Sequence, residues 1–159
     1  MSQSLSASAQ RVQDALTALG MPCRVVELPA STRTSQEAAA AIGCTVSQIA
    51  KSLVFRGAQS NKPVMVIASG TNRVNEARLS ELIGEPTAKA DANFVRTHTG
   101  FAIGGVAPVG HATPIEIYID QDLLQFEQIW AAAGTPNAVF ELTPENLVKM
   151  TNGKVVSIT

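Results

Sequence analysis

Two short apolar runs on either side of a tight turn constrain this chain more than any other feature. Ser52–Arg56 (SLVFR) and Val64–Ser69 (VMVIAS) are rich in strand-forming residues, with the turn Asn61-Lys62-Pro63 between them. They predict a β-hairpin. Such a hairpin needs apolar cover, and the composition supplies it almost without rings. Of 159 residues, 45% are apolar but only 4% aromatic, so Ala, Val, Ile and Leu must build the core. A chain of this length fits one domain over residues 1–159 and can bury a core without disulfides or metal. The Ser/Ala-rich start is read as a flexible tail over residues 1–6.

Helices and strands interleave around the hairpin. Val12, Ala15, Leu16 and Leu19 form one helical stripe, stopped by Gly20 and Pro22. Cys23–Leu28 reads as a strand. Thr34 and Glu37 can form a capping box for a helix through Ile42, closed by Gly43. Thr45 and Gln48 repeat that logic for a helical turn running into Ile49, Ala50 and Lys51. After the hairpin, a helix is expected from about Asn75 to Ile83, with Leu79, Leu82 and Ile83 inward and Gly84 as its cap. Lys89–Arg96 reads as a short helix or turn, Phe101–Gly110 as a glycine-rich loop, and Ile115–Ile119 as a strand buried on both faces. Gln128–Ala133 fits either a helix or a strand; the strong turn Gly134-Thr135-Pro136-Asn137 and the partner-like Ala138–Leu142 favour a second strand pair. A helix starts at Thr143-Pro144, and a last strand covers Lys154–Ile158. The pattern is that of a mixed α/β fold with a mixed sheet, curled toward a barrel.

The bulk properties exclude several classes. A net charge of −1 argues against a protein that coats nucleic acid through a broad basic face, but not against one that grips a nucleic-acid end. Cys23 and Cys44 are too few for a disulfide scaffold and are read as small buried hydrophobes. The N-terminal residues lack the basic start and apolar run of a signal peptide, and no window has the apolar length of a membrane span, so the expected location is cytoplasmic. His98 and His111 are the only histidines and lie in no metal-binding spacing; neither GxxxxGK[ST] nor GxSxG occurs.

Two features could carry chemistry. Lys51 follows the second capped turn and precedes an apolar strand. It is either a snorkelling lysine with its head in water, or a fixed cation aimed at a phosphate or polarised carbonyl. The Gly104–Gly110 run (GGVAPVG) is either an ordinary turn or a place where Gly104 and Gly105 admit a ligand to bare backbone amides, stiffened by Pro108. Ser69-Gly70-Thr71-Asn72 makes a further polar break directly after an apolar strand, a common place for ligand contacts.

Taken in order, several segments resemble one family. They are Thr34–Ala39 (TSQEAA), Ile49–Phe55 (IAKSLVF), Ser69-Gly70 with Arg73-Val74, and Thr99–His111 (TGFAIGGVAPVGH), followed by Tyr118-Ile119-Asp120 and Ala133-Gly134. Together they are similar to the YbaK family, aminoacyl-tRNA deacylases related to the editing insertion of bacterial prolyl-tRNA synthetase. The wording of TSQEAA and IAKSLVF is nearest to the free-standing ProX-type members.

The resemblance implies a mixed α/β fold around a curled sheet. The expected activity is trans-editing of a mischarged tRNA, most of all tRNA for proline carrying Ala, Ser, Thr, Cys or another small amino acid, with a lean toward Ala, Ser or Thr over Cys. It implies that Lys51 and Gly104 serve catalysis. Gly105, Val106, Ala107 and Pro108 would line the site with Gly104, and Gly110, His111 and Gly134 would border it. Thr34, Ser69, Gly70 and Asn72 would contact substrate. Hydrolysis would need no cofactor or metal, assisted by the 2′-hydroxyl of the tRNA's terminal adenosine. The implied partners are the acceptor end of an aminoacyl-tRNA and prolyl-tRNA synthetase, with no DNA and no membrane. The same pocket would also suit a non-catalytic module that captures an aminoacyl-adenosine or docks on a synthetase. A metal-dependent hydrolase using His98 or His111 is the third reading.

Overall fold

The computed structural model describes residues 5–159. In chain order it contains α1 (Ala7–Ala18), β1 (Val25–Glu27), α2 (Ser35–Ile42), β2 (Ile49–Gly57) and β3 (Pro63–Ser69). Next come α3 (Glu76–Ile83), β4 (Thr87–Lys89), α4 (Ala92–Thr99) and β5 (Glu116–Asp120). The chain closes with β6 (Ile129–Ala132), β7 (Ala138–Leu142), α5 (Pro144–Thr151) and β8 (Lys154–Val156). This is a mixed α/β fold. The eight strands form one sheet in the order β1-β7-β6-β2-β3-β5-β8, with β4 attached to β2 off that path.

The hairpin expected from SLVFR and VMVIAS lies at the centre. β2 and β3 pair antiparallel from Ala50↔Ser69 to Arg56↔Pro63. β3 reads as a continuous apolar run because both its faces are covered. Met65 and Ile67 enter the larger core with α1, β6 and β7, whereas Val64, Val66 and Ala68 enter a second core with Leu79 and Tyr118. The second expected strand pair forms as β6 and β7, in antiparallel register from Ile129↔Leu142 to Ala132↔Val139.

Caps set the helix boundaries. The Oγ1 atoms of Thr34 and Thr143 accept from the amides of Glu37 and Asn146 at 3.1 Å each, and Gly43 closes α2 in the left-handed region at φ 88°. Residues 1–4 of the expected tail lie outside the described residues. Of its last two, Leu5 packs against the larger core and Ser6 caps α1.

Several expectations are corrected. Only Val46–Gln48 is helical, as one 3₁₀ turn, and β2 already begins at Ile49. Gln48 Oε1 accepts the Thr45 amide at 3.0 Å and closes the turn on itself, while Ile49 and Ala50 are captured by parallel pairing with Trp130 and Ala131. Lys51 is therefore a strand residue, not the end of a helical turn. Lys89–Arg96 splits into the end of β4 and the start of α4, because Asp91 caps the Phe94 amide at 2.8 Å and so restarts the chain as a helix. Leu19 and Leu82 stand 47% and 39% exposed. Leu19 is the terminal cap residue of α1, and in α3 the inward stripe is only as wide as Leu79 and Ile83.

Candidate active site

Strand β2 has one complete edge and one broken edge. The Gly57 amide donates to the Lys62 carbonyl at 3.0 Å, which fixes the phase of the ladder. Residues 51, 53 and 55 direct their amides and carbonyls toward β3; Ser52 and Val54 direct theirs away from it. On that far edge β6 pairs only with Ile49 and Ala50, and β4 only with Phe55–Gly57. Residues 51–54 fall between the two partners. All four line a cavity of about 710 Å³ that reaches both faces of the strand. Beside it, Ser52 Oγ is buried with no hydrogen-bond partner among the described residues.

Lys51 sits at the start of this gap, opposite Ala68 on β3. Burial lowers the proton affinity of its ammonium; the charge of Arg73 lowers it further, and Asp120 opposes both. No hydrogen bond joins Asp120 to the lysine among the described residues, and the Asp120 carboxylate serves other donors. It accepts from the Ser69 amide at 3.0 Å, from Asn72 Nδ2 at 2.8 Å and from the Asp122 amide at 2.9 Å. Among the described residues Lys51 has no hydrogen-bond acceptor. A half-buried, unneutralised ammonium at a cavity wall is suited to a negative or polarised oxygen brought in from outside.

The residues singled out in the sequence divide into two groups. Thr34, Lys51, Gly70, Gly104 and Val106 share the cavity. Ser69 and Asn72 stand outside its lining: Ser69 Oγ donates to the Ser47 carbonyl at 2.7 Å, and Asn72 bridges Asp120 and Asp122. Gly105 is buried, its amide donating to Ala102 at 3.1 Å and its carbonyl accepting from Gly134 at 2.8 Å. A Cβ there would lie 2.8 Å from the Thr135 amide nitrogen, so its bareness serves backbone packing. Gly134 packs between the Ser8 backbone and the Phe101 ring, and Ala107 lies in the core. Pro108, Gly110 and His111 line a separate depression of about 380 Å³ with Leu19 and Met150. There His111 Nε2 lies 2.8 Å from the Ala107 carbonyl, and burial lowers its proton affinity. His98 Nδ1 contacts Thr113 Oγ1 at 3.1 Å.

Several site-building residues carried no signal in the sequence. Arg11 of α1 holds both ends of the glycine-rich loop: its Nε donates to Gly110 at 2.9 Å, its guanidinium also donates to Thr99 at 2.7 Å, and it lies 4.6 Å over the Phe101 ring. Arg33, Glu76, Lys89 and Trp130 reach the cavity from four different segments. No local spacing could bring those together. Burial raises the pKa of both thiols, and neither Cys23 nor Cys44 lines the cavity. Among the described residues no three His, Cys, Asp or Glu side chains gather as a metal-binding set, and no helix is long and apolar enough to cross a membrane.

The fold is that of a mixed α/β protein with a cavity at a broken sheet edge, and Lys51 is among the residues that line it. Residues 29–150 match the model of the aminoacyl-tRNA editing domain, and the chain belongs to that family. A crystal structure of a proposed trans-editing enzyme for prolyl-tRNA synthetase superposes with a TM-score of 0.92 at 49% identity, over 98% of this chain and 99% of that one. The uncharacterised protein YwhH of Bacillus subtilis is 35% identical over 131 residues, 82% of this chain and 83% of its own length. EbsC of Enterococcus faecalis, named as a proposed Cys-tRNA(Pro)/Cys-tRNA(Cys) deacylase, is 25% identical over 127 residues, 79% of this chain and 77% of that one.

Proposed function

We propose that this protein is a trans-editing deacylase, hydrolysing the ester that joins a wrong, small amino acid to tRNA, most of all tRNA for proline. The observation that carries the reading is the half-buried Lys51 ammonium, without an internal acceptor, in one cavity with the Gly104 backbone. Family membership and the relatives named for prolyl-tRNA add to it. In this reading one domain acts in the cytoplasm on the acceptor end of a charged tRNA.

The chemistry is ester hydrolysis. Water adds to the ester carbonyl carbon, the bond from that carbon to the terminal ribose oxygen breaks, and the ribose oxygen leaves as a hydroxyl after taking a proton. Lys51 supplies positive charge where the carbonyl oxygen becomes an oxyanion. The Gly104 amide, which has no backbone acceptor among the described residues, is free to donate to a substrate oxygen in the same cavity. The substrate's own 2′-hydroxyl assists the attack, so the protein's share is positioning and electrostatics.

The test is a panel of purified tRNAs charged with Ala, Ser, Thr, Cys and Pro. The expected result is hydrolysis of at least one small-amino-acid ester, reduced roughly 10²–10³-fold by Lys51→Met, the loss typical of removing one oxyanion donor. No difference between wild type and variant on any member would defeat the reading. Tight binding without turnover would leave a capture module instead.

A further inference from the structure

The cavity carries more positive charge than the chain does. Arg33, Lys51 and Lys89 line it against a single carboxylate, Glu76, although the formal net charge of the whole protein is −1. Arg33 differs from the other two in how it is held. The residue before it, Thr32, is buried and anchored through its Oγ1 to the Pro136 carbonyl at 3.0 Å; the residue after it, Thr34, caps α2. The arginine thus springs from a segment fixed on both sides.

Its stem packs against the glycine-rich loop on one side. Gly104 has φ 98°, and a Cβ on it would lie 2.8 Å from Arg33 Cγ and 3.4 Å from Cδ and Nε. The bare glycine is the surface across which the arginine stem lies. Arg33 is itself exposed and lines the cavity together with Ile103, which is 59% exposed. Among the described residues its guanidinium has no hydrogen-bond or ion-pair partner. An arginine stem that packs along a backbone has less freedom left to lose on binding than one free in water, and its planar fork matches two phosphate oxygens.

We infer that Arg33 binds a backbone phosphodiester of the single-stranded acceptor end, and that this contact is separate from the ester-facing role of Lys51. The inference rests on the deacylase reading for the identity of the ligand. It assigns the two cations different work: Arg33 holds the strand throughout, and Lys51 acts when charge develops. Gly104 is then needed twice, once for its amide and once as the bed for the Arg33 stem.

The experiment measures binding of an uncharged acceptor-stem minihelix with a single-stranded 3′ end, across a salt series, by fluorescence anisotropy. Arg33→Ala should weaken binding and reduce the slope of log K against log salt by about 0.7, the loss of one single-strand phosphate contact. Arg33→Lys should keep that slope while still binding more weakly, because it retains the charge and loses the fork. A blunt minihelix without the single-stranded end should bind wild type and Arg33→Ala equally. In turnover, Arg33→Ala should raise KM about tenfold with kcat nearly unchanged, as expected for uniform binding. An unchanged salt slope overturns the inference, as does a fall in kcat at constant KM. If no charged tRNA is hydrolysed, the deacylase reading fails, and the salt slope still decides the role of Arg33.

Discussion

The two edges of β2 divide the work of the molecule. Toward β3 the strand is paired over seven residues, from Ala50 to Arg56, between two cores. Toward β6 and β4 it is paired only at its ends, and the gap over residues 51–54 forms a wall of the cavity. One strand thus has a side that holds the sheet and a side that opens on a cavity, where we place the ligand. A broken edge is normally a liability, because unpaired amides and carbonyls invite another chain. Here β6 and β4 flank the gap, so its polar groups open into a cavity instead of a long flat border.

If this division is real, changes on the two sides should separate stability from activity. The largest expected effect lies on the paired side. Met65→Ala deletes a fully buried side chain of β3 and should cost roughly 2–5 kcal/mol in denaturant unfolding. Its kcat should stay close to wild type below the melting transition. A large kcat loss at unchanged stability would break the comparison.

Arg11→Met is expected to come next. It leaves the carbonyls of Thr99 and Gly110 without the guanidinium that joins them, at about 1–3 kcal/mol of stability. Because it frees both ends of the loop that carries Gly104, it should lower activity too, and so mark where the two sides meet. Unchanged unfolding and unchanged turnover would show that the loop is held by other contacts.

The smallest stability effect is expected at Lys51, and its sign follows from the proton balance. Burial and Arg73 lower its pKa from the ordinary 10.5, so between the folded value and 10.5 the unfolded chain binds more protons than the folded one. Stability contributed by this group therefore rises with pH through that window. Below the folded value the charged lysine is a cost. Lys51→Met should leave the melting temperature at neutral pH equal or higher, and should flatten the alkaline rise. A clear drop in melting temperature would mean that the ammonium holds the fold together. On the proposed mechanism deacylation uses the charged form, and its rate should fall as pH rises through the same folded pKa.

Much of the paired side was legible in the sequence. SLVFR and VMVIAS carry their pairing in their own composition, and Thr34, Thr143 and Gly43 mark helix ends through local hydrogen bonds and backbone freedom. The open side was legible only in part. Lys51 and Gly104 stood out, but the phase of β2 was missed, because the capture of Ile49 and Ala50 by β6 depends on residues about 80 positions away. Asn72 looks like a pocket residue in the sequence, whereas in the fold its amide bridges Asp120 and Asp122 at 2.8 Å each. Pro108, Gly110 and His111 are continuous in sequence with Gly104, yet the chain passes through the core at Ala107 and emerges at another depression. Arg33 and Arg11 look like ordinary surface cations until the glycine loop packs against them.

We propose the open edge of β2 as a hydrolytic site organised by Lys51. The most direct measurement is the rate of ester hydrolysis on tRNA for proline charged with Ala, Ser, Thr or Cys, with wild type and Lys51→Met compared at matched folded fraction. The account predicts turnover by the wild type on at least one of these esters and a loss of roughly 10²–10³-fold in the variant, with melting temperature held or raised. Equal rates for the two proteins, or a rate loss explained by unfolding of the variant, would contradict it.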